Sequence, residues 1–96
     1  MAKYVVLVNW TDQGIRNIKD SPSRADAVRD VGKKFGCEMT DLYMTIGAYD
    51  LVTMVEAPDD ESLAKYILTI AQGGNVRTTT LKAFDEETYR AIVGGL

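Results

Sequence analysis

The sequence contains no histidine. That removes the side chain most often used as a general base, and with it the commonest metal and haem ligand. A single cysteine, Cys37, excludes an intrachain disulfide and a cysteine-based zinc site. As a nucleophile Cys37 would need a base partner, so it reads as a small buried hydrophobe at a strand start. Long apolar runs are missing as well. After Met1-Ala2-Lys3 only five apolar residues precede Asn9, too few for a signal-peptide core or a membrane span, so the expected compartment is the cytoplasm. Basic residues are outnumbered, 11 against 14, for a net charge of −3, which argues against a nucleic-acid partner. There are no internal repeats, linkers or low-complexity segments.

What is present is the composition of an ordinary globular domain, 46% hydrophobic and 26% charged, so residues 1–96 are read as one domain. Gly47-Ala48-Tyr49-Asp50 lies between two strand-like runs, Leu42 to Ile46 and Leu51 to Val55, and reads as the turn of a central hairpin. Ahead of it, Lys3 to Trp10 predicts a strand rich in β-branched and aromatic residues. A short helical turn is expected around Gln13 to Ile18. Ser21 as N-cap and Pro22 at the first helical position then open a helix to Phe35, with an inward stripe of Ala25, Val28, Val31, Gly32 and Phe35 and a stop at Gly36. The second strand runs from Glu38 to Ile46 and the third from Leu51 to Ala57. Asp59 caps a second helix with Leu63, Tyr66, Ile67, Ile70 and Ala71 inward, and Gly73-Gly74 ends it. Val76 to Phe84 is the last strand, and Asp85 caps a terminal helix whose Tyr89, Ile92 and Val93 are free to dock on the body or on a neighbour.

Strand, helix, strand, strand, helix, strand is the order of an α+β, ferredoxin-like βαββαβ sandwich, here with an extra C-terminal helix. The first strand is apolar on both faces and needs cover on both. Its own helices supply one cover; the expectation for the other is a second copy, giving a homodimer of the kind called a dimeric α/β barrel. Tyr4, Val6 and Val8 are expected to face that partner, since the set with the aromatic ring suits an interface.

Three stretches carry a family resemblance. Asn9-Trp10-Thr11-Asp12-Gln13-Gly14-Ile15, Gly47-Ala48-Tyr49-Asp50 and Asn75-Val76-Arg77-Thr78-Thr79-Thr80 resemble the GYD domain family within the dimeric α/β-barrel superfamily. In this chain Ala48 stands between Gly47 and Tyr49 of the name-giving signature. The resemblance implies the fold and leaves the function open. Relatives in the wider superfamily include cofactor-free monooxygenases, lactone isomerases and haem enzymes, many of which use histidines that this chain lacks.

Candidate ligand-binding residues are Asn9, Trp10 and Thr11, where the first strand gives way to a loop, with Tyr49 and Asp50 in the hairpin and Arg77 beside three threonines. Each has a structural alternative: Asp50 closing the hairpin on backbone N–H groups, Thr11 capping a helix, Trp10 at the core's edge, Arg77 on a solvated face or in a subunit salt bridge. Asp59, Asp60 and Glu61 sit at a helix N-terminus, where the dipole already explains them, so neither a metal nor another cofactor is expected. The function expected is an oligomeric module binding a small polar or anionic molecule in a cleft beside the sheet. Two alternatives stay open: a cofactor-independent enzyme using Asp50 with Tyr49 or Tyr43, and a purely structural assembly subunit.

Overall fold

A computed structural model describes residues 1–96. Strand β1 (Ala2–Trp10) is followed by a five-residue helix α1 (Asp12–Arg16), a 3-10 turn (Ile18–Asp20) and helix α2 (Ser21–Lys33). Strands β2 (Glu38–Met44) and β3 (Leu51–Ala57) form the hairpin; helix α3 (Asp60–Gln72), strand β4 (Val76–Ala83) and helix α4 (Glu86–Gly94) complete the chain. The sheet is antiparallel in the order β2-β3-β1-β4, so its two middle strands come from the two halves of the chain. This is the ferredoxin-like α+β arrangement.

Local chemistry explains most boundaries. Asp59 caps α3 by accepting the Ser62 N–H at 2.7 Å, and Asp85 caps α4 by accepting the Thr88 N–H at 2.8 Å. Gly36, at φ +70°, carries the chain out of α2, and Gly47, at φ +140°, turns the hairpin; both are conformations that a side chain disfavours. Cys37 is buried as β2 begins, and burial pushes its thiol up.

Several expectations needed correction. The N-cap of α2 is Asp20, with no side-chain cap bond, so Ser21 is already helical and Pro22 stands second. The same helix stops at Lys33 rather than Phe35. Strand β2 ends at Met44, because Thr45 turns back: its N–H donates to the Asp50 carbonyl at 2.8 Å and its hydroxyl to the Tyr49 carbonyl at 2.5 Å. Ile46 is therefore not in a strand but at the loop tip, 98% exposed. Strand β2 also carries an irregularity between Met39 and Asp41, which lets Met39 and Leu42 oppose Val55 and Thr53 on the same side.

The largest correction concerns the two faces of β1. Tyr4, Val6 and Val8 do not face outward; they pack with Val55, Ala57, Leu63 and Tyr66 under α2 and α3 as the hydrophobic core. The inward stripes of the helices need a large apolar floor, and Tyr4 supplies it. Val5 and Leu7 point to the other side, beside Met54 and Val52 of β3, and stay half-buried with nothing over them. Leu81 of β4, paired with Val5, and Tyr43 of β2, paired with Val52, extend this open face and are mostly exposed.

The core is small: eleven of 96 residues are buried. The radius of gyration, 14.3 Å, exceeds the roughly 12.5 Å usual for a globular chain of this length. Part of the excess is α4, whose every residue is exposed, Tyr89, Ile92 and Val93 included. That helix does not dock on its own body.

Candidate functional site

The expected site residues come from the C-terminal end of β1, the hairpin and β4, and the fold divides them between the two sides of the sheet. Trp10, in step with Val8, lies on the helix side, where its ring lines a cavity between the helices and the sheet. Asn9 and Arg77 are directly paired across β1 and β4 on the open side. Arg77 is exposed and enters none of the chain's ion pairs. The pairing brings a forked donor and a donor–acceptor group to one face of the sheet, groups suited to a carboxylate or phosphate.

Asp50 and Thr11 are engaged in holding loops. The Asp50 carboxylate accepts the Trp10 N–H at 2.9 Å, and its own N–H donates to the Val8 carbonyl at 2.9 Å. The hairpin is thus fastened to the end of β1 by a charge-assisted bond. Thr11 caps α1 by accepting the Gly14 N–H at 3.1 Å, while its hydroxyl donates to the Gly74 carbonyl at 2.6 Å and its N–H to the Asn75 carbonyl at 3.0 Å. Gln13 adds two more bonds across the same gap, to the Gly73 carbonyl and the Asn75 side chain, each at 3.0 Å. Two of the three motif stretches, around Thr11 and around Asn75, are therefore knitted together. Tyr49 is half-buried in the hairpin loop with its carbonyl held by Thr45.

One polar cluster escaped the sequence reading. At the far end of the sheet the Tyr4 phenol and the Lys82 ammonium both donate to the Asp60 carboxylate, the lysine at 3.0 and 3.2 Å. Burial, then the bond to Asp60 and that carboxylate's charge, push the Tyr4 phenol up to about 12. The Tyr4 hydrogen bond, then Lys82, hold Asp60 below the usual carboxylate range. A phenol that keeps its proton so firmly is a poor acid or base at neutral pH, so the cluster ties the start of α3 to the sheet. The only signal for it was pairing of Tyr4 with Lys82, visible once the strands are in register. The acidic run does not converge on a metal site: Asp59 caps the helix, Asp60 turns to Tyr4 and Lys82, and Glu61 reaches Lys65. No helix is long and apolar enough to cross a membrane.

Comparison with known proteins agrees with this architecture. The chain is 34% identical over 84 residues to a Thermus thermophilus protein named glutamine synthetase and cystathionine beta-lyase binding protein, covering 86% of this chain and 88% of that one. A solved structure from Thermus thermophilus superposes with a TM-score of 0.57 at 26% identity, over 88% of this chain and 95% of that one. The feast or famine regulatory protein of M. tuberculosis, solved with L-methionine, superposes with a TM-score of 0.69 at 19% identity, a likeness of fold. It covers 88% of this chain, which spans about half of the regulator's length, 51%. The GYD domain model matches residues 4–93, from within β1 to the last turn of α4, and the chain belongs to the GYD domain family.

Proposed function

We propose that the protein is a self-associating binding module. Two copies meet through the open faces of their sheets as a two-fold dimer of the α/β-barrel kind. The assembly then holds a small polar or anionic molecule beside the sheet at Asn9 and Arg77 on the open side, while Thr11 and Asp50 fix the neighbouring loops. The observation that carries this reading is the uncovered apolar face of Val5, Leu7, Val52, Met54, Leu81 and Tyr43. A contiguous patch of this kind is a liability on a free monomer, and a second copy brings the same patch to meet it. The unpaired Arg77 on that face supports the anionic ligand, because covering the face strips water from a cation that then needs an anion.

Size-exclusion chromatography with light scattering tests the assembly: a dimer at micromolar concentration is expected, and a folded monomer from Leu7→Glu, which sets a charge in the centre of the patch. A wild-type monomer refutes it. Native mass spectrometry of the purified protein tests the ligand; a small anion that disappears in Arg77→Gln is the expected result.

A second reading, an adaptor that docks on metabolic enzymes, is favoured by the name of the relative at 34% identity. The exposed apolar groups left over once the sheet face is covered, Met44 and Ile46 at the hairpin and Ile92 and Val93 on α4, are the surfaces it would use. Pull-down with glutamine synthetase, comparing wild type with Ile46→Asp, separates the two.

A further inference from the structure

On the helix side of the sheet, α2 and α3 do not close over its centre. Between them lies a cavity of about 80 Å³, independent of the face assigned to self-association. Native interiors carry few voids larger than a water molecule. The walls are Val28 of α2 and Ile67 and Ile70 of α3, which belong to the inward stripes yet remain only half-buried because they front this space.

The lining dictates what fits. Of the four hydroxyl residues that line it, Thr53 donates to the Val6 carbonyl at 3.1 Å and Tyr66 to the Val28 carbonyl at 2.8 Å, which leaves Ser21 and Thr78. The rest of the lining is hydrophobic apart from Arg24, so the interior offers an occupant mainly apolar surface. Arg24 is the one charged residue lining it. Its guanidinium donates to the carbonyls of Asn17 at 2.8 Å and Gly14 at 3.3 Å and enters none of the chain's ion pairs. Two of five N–H donors are thus engaged, and the charge has no counter-ion.

We propose that this cavity binds a short branched aliphatic carboxylate, its hydrocarbon end between α2 and α3 and its carboxylate on Arg24. The size follows from comparison: a cavity of ~150 Å³ takes benzene, so about half that volume holds roughly three to five carbons. No acidic side chain lines the cavity, so the ammonium of an α-amino acid would enter unpaired. The site therefore prefers the plain acid to the amino acid of the same skeleton.

The test is titration of methyl-labelled full-length protein with 3-methylbutanoate, L-valine and acetate, read by methyl NMR shifts and by fluorescence of Trp10, which lines the same cavity. Saturable shifts at Val28, Ile67 and Ile70 are expected with 3-methylbutanoate, and much weaker responses with L-valine and acetate. Arg24→Gln should weaken binding about tenfold, the worth of one charge-assisted contact. Val28→Phe should abolish it by filling the space, with Ile70→Phe as the alternative should the first variant fail to fold. No saturable shift overturns the proposal, as does acetate or L-valine binding equally well, or folded variants that bind like the wild type.

Discussion

Gly14 is where two loops approach too closely for any side chain. A Cβ built there would lie 2.2 Å from the Asn75 carbonyl oxygen and 3.1 Å from its carbon, both backbone atoms that cannot rotate away. Gly14→Ala must therefore push the α1 segment off the loop between α3 and β4 by about an ångström. The bonds spanning that gap are those from Thr11 to Asn75 and Gly74 and from Gln13 to Gly73 and Asn75. At about 0.5–1 kcal/mol each, losing all four costs roughly 2–4 kcal/mol. Alanine returns up to about 1 kcal/mol as the better helix former inside α1. The net expectation is a destabilisation of about 1–3 kcal/mol. Urea denaturation followed by Trp10 fluorescence, at one fixed protein concentration, reads it as a lowered midpoint with an unchanged slope. Gly94→Ala is the control, since a methyl there meets nothing within 4 Å. A Gly14→Ala midpoint equal to or above the wild type's would refute the close approach.

Val6→Asp should abolish folding, because it buries a charge under α2 and α3, whereas Leu7→Glu should leave a folded chain; circular dichroism of the pair distinguishes the core face of β1 from the open one. Gly47→Val should lower stability by about 1–3 kcal/mol through backbone strain alone, since no atom lies within 4 Å of its added Cβ; an unchanged denaturation midpoint would contradict this. Asp50→Asn keeps an acceptor for the Trp10 N–H and should cost about 1 kcal/mol, with a larger loss in Asp50→Ala, both read by thermal melts. Burial pushes Cys37 up from 9.0, and Tyr4 and Tyr66 up from 10.0 to about 12, so the folded chain holds these protons longer than the unfolded one. Their stabilisation is complete below the ordinary values and is lost as pH rises from about 9 through 12. Asp59 and Asp85, through the Ser62 and Thr88 backbone N–H groups, and Asp60, through Tyr4, lie below 3.8; their contribution is present above that value and fades as pH falls beneath it. A urea midpoint that rises above pH 10 would contradict the alkaline half.

The strand and helix order was legible because its signals are local. Asp59 and Asp85 announce their helices by capping, Gly36 and Gly73-Gly74 mark the stops, and β3 runs from Leu51 to Ala57 as its pattern predicts. The facing of β1 was not legible, because Tyr4-Val5-Val6-Leu7-Val8 is apolar on both sides and alternation carries no sign. Arg24 and the Tyr4–Asp60–Lys82 cluster were hidden for a different reason: their partners are set by how α2 and α3 lie on the sheet. The polar groups of Thr11 and Asp50 are largely spent on fastening loops, which depends on contacts distant in sequence and so is not legible there.

That fastening is uneven across the molecule. Helix α3 is pinned at both ends, by Lys82 and Tyr4 on Asp60 at its start and by the Thr11 and Gln13 bonds to the loop that follows it. Helix α2 has no side-chain bond to the sheet: Arg24 ties it to the segment just before it, and the Tyr66 phenol ties its Val28 carbonyl to α3. The two walls of the helix-side cavity are thus mechanically unlike, one bonded to the sheet at its start and to the α1 segment at its end, the other held through its neighbours. Expansion of the cavity falls to α2 and costs only the Tyr66–Val28 bond, so its amides should exchange with solvent sooner than those of α3.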